Sequence, residues 1–95
     1  MLPSRASGTA ILPVMETIDV DIHTERIRLD GLLKFAAVVG TGGEAKQLIQ
    51  AGRIRVNDVV ETKRGRHVSE GDRVELIDDD GNPLLRLLVR RPTPP

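Results

Sequence analysis

Apolar and polar residues alternate along several short segments of this 95-residue chain, and alternation of this kind predicts β-strands. Residues 16–22 show it first: Ile18, Val20 and Ile22 point one way and polar side chains the other, so we expect a half-buried strand at a sheet edge. Further strands are expected at 53–56, from 59 toward 63, from 74 onward and at 84–89. Turn-forming residues separate them at 57–58, 64–66, 70–72 and 78–82.

Two segments between the first and second strands have helical spacing instead. The first, residues 28–39, has an apolar stripe at positions i, i+3, i+4 and i+7: Leu29, Leu32, Leu33 and Ala36. We expect Gly40 to end this helix. Thr41 and Glu44 have the spacing of a capping box, which predicts the start of a second helix, and Gly52 is expected to end it. Its apolar face is formed by Ala45, Leu48 and Ile49.

Composition indicates one small soluble domain, with 39% hydrophobic and 29% charged residues. The chain has no cysteine, which excludes disulfides and thiolate metal sites, and it has no apolar run of the ~20 residues that a membrane-spanning helix needs. We expect a flexible leader at 1–14, one domain at 15–90 and a proline-rich tail at 91–95. A cytoplasmic location fits this composition.

No constellation of residues suited to catalysis or metal binding is visible. The two histidines, His23 and His67, lack metal-ligand spacing, and the glycine-rich run at 40–43 lacks the pattern of a phosphate-binding loop. The run at 78–82 lacks the spacing of a calcium loop, so we expect a hairpin turn there. The sequence therefore predicts a protein that is not an enzyme, with no metal, no cofactor and no small-molecule substrate.

Charge is segregated along the chain although the formal net charge is zero. Two acidic residues lie between 46 and 66, against six basic ones: Lys46, Arg53, Arg55, Lys63, Arg64 and Arg66. Acidic residues dominate 16–30 and 78–80. If a hairpin folds onto the two helices, the six cations can converge on a groove that binds phosphate, for which guanidinium groups are well suited. The charge pattern alone leaves a solvated surface with local ion pairs equally open.

Aromatic content limits the kind of nucleic acid that such a surface can bind. Phe35 is the only aromatic residue, and its place in a predicted helix favours the core. Proteins that bind single strands stack bases on several aromatic faces. We therefore expect recognition of the backbone and shape of folded RNA. A protein-interaction adaptor that uses the acidic face remains an alternative, and a binder of double-stranded DNA is a weaker one.

Five blocks in order resemble the S4-type RNA-binding domain, and most closely the small stand-alone bacterial S4 proteins. The blocks begin at Arg28-Leu29-Asp30, Glu44-Ala45-Lys46, Gly52-Arg53-Ile54, Lys63-Arg64-Gly65 and Gly71-Asp72-Arg73, and together they cover about residues 27–76. The resemblance implies an α+β protein with the αL fold. In that fold two short helices pack on a small antiparallel or mixed sheet, here with an added N-terminal strand and a C-terminal hairpin.

The resemblance also implies the partner and the residues that contact it. The partner would be structured RNA, either ribosomal or transfer RNA, and the ribosome is a possible partner. No membrane is implied, and we expect a monomer. By position, the RNA-facing cations are Lys46, Arg53, Arg55, Lys63, Arg64 and Arg66. Weaker candidates are Arg28, Lys34, Thr41, Gln47 and Asn57.

Overall fold

A computed structural model describes residues 16–92, which form two helices and seven strands. The expected leader at 1–14 and the end of the expected tail, 93–95, lie outside the described residues. The fold is α+β, as the sequence predicted. In chain order the elements are β1 (Glu16–Asp21), β2 (Arg26–Arg28), α1 (Leu29–Phe35), α2 (Gly42–Gln50), β3 (Ile54–Val56), β4 (Val59–Val60), β5 (His67–Ser69), β6 (Arg73–Ile77) and β7 (Pro83–Arg90).

Five of the strands form one mixed sheet with the order β1-β7-β6-β3-β4. β1 runs parallel to β7 at one edge, with Val20 opposite Val89, and the other neighbours are antiparallel. The predicted edge strand is therefore confirmed. β2 and β5 pair separately as a two-stranded antiparallel ribbon. The sequence did not predict this ribbon, because three residues in each strand give too short an alternation to recognise.

The core lies between the two helices and one face of the five-stranded sheet. α1 contributes Leu29, Leu32 and Leu33, and α2 contributes Ala45 and Ile49, all buried. The sheet contributes alternate residues of its strands to the same cluster: Val20, Ile54, Val56, Val74, Leu87 and Val89. Because neighbouring side chains on a strand point to opposite faces, the residues between these project from the outer face of the sheet.

α1 ends earlier than predicted, at Phe35, and Gly40 does not end it. Ala37 takes a left-handed backbone conformation with φ 60°. The amide of Val38 then donates to the carbonyl of Leu33 at 2.9 Å, and the amide of Ala37 donates to that of Lys34 at 3.0 Å. This is the Schellman arrangement, which usually employs glycine. Val38 packs against the core beyond this turn, and its burial offsets the cost of the left-handed alanine.

Phe35 is 59% exposed, so its predicted place in the core is wrong. The reason lies in the geometry of α1. At 100° per residue, Phe35 lies roughly 100° from the centre of the stripe formed by Leu29, Leu32, Leu33 and Ala36. Aromatic character alone suggested burial, whereas the phase of the helix places the ring at its side.

The capping box at the start of α2 is present as predicted. The Thr41 hydroxyl accepts a hydrogen bond from the Glu44 amide at 3.1 Å, and a Glu44 carboxylate oxygen accepts from the Thr41 amide at 3.1 Å. The same oxygen accepts from the Gly40 amide at 2.8 Å. Gly52 follows the helix with φ +78°, which confirms it as the C-terminal stop.

Thr41→Ala is expected to lower the free energy of unfolding by about 1 kcal/mol, because the Glu44 amide loses its partner. Thr41→Ser keeps the hydroxyl and should unfold close to the wild type. Thermal denaturation checks this, since about 1 kcal/mol corresponds to roughly 4–8 °C in a domain of this size. An equal loss in both variants would show that the threonine methyl group, and not the cap, stabilises the helix.

Candidate nucleic-acid interface

The loop of residues 63–66 lies against the N-terminus of α1. The amide of Leu29 donates to the carbonyl of Arg66 at 2.7 Å, and the amide of Asp30 donates to that of Arg64 at 3.2 Å. The first amides of a helix have no partner within the helix, so these bonds satisfy two of them. The loop is thereby fixed to the helix by its backbone.

Asp30 links the loop to α1 a second time, through side chains. Its Oδ2 accepts from Arg64 Nε at 2.9 Å and from Arg28 Nη2 at 3.1 Å, and its Oδ1 accepts from Arg28 Nε at 3.2 Å. The amide of Gly31 donates to Oδ1 at 2.8 Å. The Asp30 side chain is only 9% exposed. One buried carboxylate therefore holds two guanidinium groups beside each other.

Asp30 is ionised at neutral pH. Burial raises the pKa of its carboxyl, but the hydrogen bonds from Arg64, Arg28 and the Gly31 amide outweigh burial, and the pKa lies below the ordinary value. The pKa of Glu61, which lies just before the loop, is also lowered. Burial raises its pKa, whereas the Lys63 amide and the Arg66 guanidinium lower it to a net value below the ordinary one.

The N-terminus of α2 completes this corner of the molecule. A Cβ atom built on Gly42 would lie 3.9 Å from Arg64 Nη2, and one built on Gly65 would lie 3.7 Å from Arg28 Nη2. These are ordinary van der Waals distances, so Gly42 lies beside the Arg64 guanidinium and Gly65 beside that of Arg28. Lys46 follows Gly42 by one helical turn on the same side of α2. We call these four cations the helix-end cluster: Arg28, Lys46, Lys63 and Arg64.

Arg66 borders the helix-end cluster but is already paired. Its Nη1 donates to Glu61 Oε1 at 3.1 Å, and Glu61 Oε2 accepts from the backbone amides of Thr62 and Lys63, each at 3.1 Å. This is one of the local ion pairs that the charge pattern left open. Lys34, Lys46 and Lys63, by contrast, form no ion pair within residues 16–92.

Arg55 does not join the helix-end cluster, contrary to the predicted convergence. Ile54 and Val56 face the helices, so Arg55 projects from the outer face of the sheet. There Arg55 Nη2 lies 3.2 Å from Oε1 of Glu75, the residue opposite it on β6. The other oxygen of Glu75, Oε2, accepts a hydrogen bond from Arg86 Nη2 at 3.1 Å, and the Glu75 side chain is 3% exposed.

Arg53 is also separated from the helix-end cluster. It lies just beyond the C-terminus of α2, whereas Arg64 lies beside the N-terminus, and about 12 Å of helix separates these ends. Arg53 forms an ion pair with Asp79 in the turn between β6 and β7. It borders a groove of about 690 Å³ between α2 and the 37–40 segment. The six predicted cations therefore do not form one surface.

The structure shows what three of the weaker candidates contact. The Thr41 hydroxyl is engaged in the capping box, and Gln47 lines the groove beside Arg53. Asn57 has φ 51° in the predicted two-residue turn, where its amide nitrogen donates to Asp72 at 3.0 Å and its oxygen accepts from the Arg73 amide at 3.0 Å. Asn57 therefore fastens the turn to β6.

Comparison with known proteins identifies the family of the chain. The model of the family described as the S4 domain matches residues 20–82, about two thirds of the chain. The chain belongs to the S4 domain family. One relative of this S4 domain, from Bacillus subtilis (strain 168), is named "Probable ribosome maturation protein RlbA". It is 40% identical over 57 residues, which cover 60% of this chain and 80% of the relative.

Two residues of this S4 domain that sequence analysis did not select extend the surface of the helix-end cluster. In the β2–β5 ribbon, Arg26 lies opposite Ser69 and Arg28 lies opposite His67. Ile27 and Val68 turn toward the core, so Arg26 and His67 share the other face with Arg28. Sequence reasoning missed both residues because the two three-residue strands that carry them were not predicted.

Within the part of this S4 domain that the structure describes, no group of three or more histidine or acidic side chains is placed to hold a metal ion. Its two described helices have seven and nine residues, and neither is long and apolar enough to cross a membrane.

Proposed function

We propose that this S4 domain binds structured RNA, ribosomal RNA first among candidates, through the helix-end cluster. The observation that carries the proposal is the pair of guanidinium groups held on Asp30 beside the N-terminus of α2. Family membership supports it, since the S4 domain is an RNA-binding module. The name of the Bacillus relative supports a role connected with ribosome maturation.

The chemistry of the helix-end cluster suits a sugar-phosphate backbone. Arg28 and Arg64 share the Asp30 carboxylate, and Lys46 and Lys63 form no ion pair among the described residues, so the corner has a surplus of positive charge. Asp30 occupies only part of each guanidinium, and an arginine has five N–H donors, so donors remain for phosphate oxygens. Phe35, although exposed, is the sole aromatic residue of the chain, too few for base stacking. The surface therefore suits the shape of folded RNA.

A gel-shift comparison of an RNA hairpin with a DNA duplex of the same sequence tests the proposal. We expect tighter binding to the RNA. Four phosphate contacts give a slope of log affinity against log salt of roughly −3 to −4. Equal affinity for RNA and DNA, or a slope close to zero, would contradict recognition of structured RNA by these cations.

Crosslinking in cells, followed by sequencing of the attached RNA, tests the choice of ribosomal RNA. We expect ribosomal fragments to be enriched over their share in a control without crosslinking. Enrichment of transfer RNA instead would keep RNA binding and overturn the ribosomal assignment. Recovery of a protein partner without RNA would favour the adaptor alternative.

A further inference from the structure

We propose that Asp30 is a positioning residue for RNA binding: it orients Arg28 and Arg64, so its removal weakens binding although it also removes a negative charge. This inference rests on the proposed function and adds to it. Counting charges would place Asp30 among the residues that repel phosphate. The geometry gives it the opposite role.

The carboxylate is fixed from several directions. Gly31 donates its amide to Oδ1, and the backbone of Asp30 itself is bonded to the carbonyl of Arg64. Its side chain has little freedom, being only 9% exposed. The Nε atoms of both arginines point at this fixed anion, which sets the plane of each guanidinium. The remaining donors of the two arginines are therefore held in set directions before any RNA arrives.

Pre-organisation of this kind has a measurable value. Binding normally loses conformational entropy, because long side chains become ordered at the interface. If two arginines are already ordered before binding, the saving corresponds to about 5-fold to 100-fold in affinity. Loss of the negative charge of Asp30 acts the other way, but salt screens its repulsion of phosphates that approach from the solvent. We therefore expect the loss of orientation to exceed the electrostatic gain.

The test measures the affinity of the RNA hairpin for three variants at 0.1 M salt. Asp30→Asn removes the charge, and Asp30→Glu keeps the charge but moves it; both are expected to bind about 10-fold more weakly. Asp19→Asn is the matched control, because Asp19 pairs with Arg90 at 3.6 Å on β1, away from the helices. The control should stay within about 2-fold of the wild type. Wild-type or tighter binding by Asp30→Asn would overturn the inference.

A double-mutant cycle separates positioning from a merely structural role. In a background of Arg28→Gln and Arg64→Gln, positioning predicts that Asp30→Asn has no further penalty, since the side chains it orients are gone. Low salt keeps this weak binding measurable. A penalty that persists in this background would show that Asp30 acts through the stability of α1 and the loop, and would refute positioning. Circular dichroism verifies that each variant is folded at the assay temperature.

The arginine background also distinguishes the two levels of proposal. If it binds RNA as well as the wild type, the helix-end cluster is not the RNA site, and both proposals fail. If it binds weakly while Asp30→Asn binds at wild-type strength, the proposed function stands and only the positioning inference fails.

Discussion

Replacing Arg28 and Arg64 together by glutamine is expected to weaken binding to a folded RNA by about 100-fold at 0.1 M salt. Each arginine offers a charge-assisted hydrogen bond to phosphate, and about 1.5 kcal/mol for each corresponds to roughly tenfold in affinity. The slope of log affinity against log salt should become shallower by about 2, because two phosphate contacts are lost. Filter binding over a range of salt concentrations measures both quantities.

Arg55→Gln is the matched control for that result. Arg55, like Arg64, is a partly exposed arginine paired with a buried carboxylate, but it lies on the outer face of the sheet. We expect its RNA affinity to stay within about 2-fold and its salt slope to stay unchanged. An equal loss in Arg55→Gln and in the double variant would mean that RNA affinity does not depend specifically on the helix-end cluster, which contradicts the proposed site.

Local signals in the sequence were sufficient for most of the fold. The Thr41 and Glu44 pair marked the start of α2, and Gly52 marked its end. Asn57 and Asp58 marked a turn that needs positive φ. Each of these features depends on interactions within a few residues. The end of α1 could not be predicted in this way, because Ala37 becomes left-handed only through the packing of residues that follow it.

The site was only partly predictable, because its geometry depends on ion pairs between residues that are distant in sequence. The sequence showed which residues are cationic, but not which carboxylate each would meet. Arg64 pairs with Asp30, 34 positions away, and Arg53 pairs with Asp79, 26 positions away. Only the tertiary fold brings these pairs of residues into contact. Asp30 was assigned to an acidic stretch, whereas the structure places it among the cations.

Among the described residues, two buried carboxylates each hold two arginines, in different layers of the molecule. Asp30 holds Arg28 and Arg64 at the helix ends, where their remaining donors face solvent. Glu75 holds Arg55 and Arg86 on the outer face of the sheet, in a row that crosses β3, β6 and β7. The first arrangement suits binding, and the second fixes strand register, since a slip of one residue would bury these charges against the helices.

Replacing Arg55 and Arg86 together by methionine is expected to lower the free energy of unfolding by about 3 kcal/mol. The Glu75 side chain is 3% exposed, and without its two partners it would remain as an uncompensated buried charge. About 3 kcal/mol corresponds to a fall of roughly 12–24 °C in Tm for a domain of this size. Thermal and urea denaturation of the double variant measure the loss.

Arg90→Met is the control, because the pair of Arg90 with Asp19 has the same chemistry on the same sheet. Its atoms are 3.6 Å apart and both side chains are more than half exposed, so its loss should cost at most about 1 kcal/mol. A similar small cost for the Arg55 and Arg86 double variant would contradict the argument, since it would mean that water reaches Glu75 and stabilises its charge. A large cost with unchanged RNA affinity would instead separate the charges that hold the sheet from those that bind RNA.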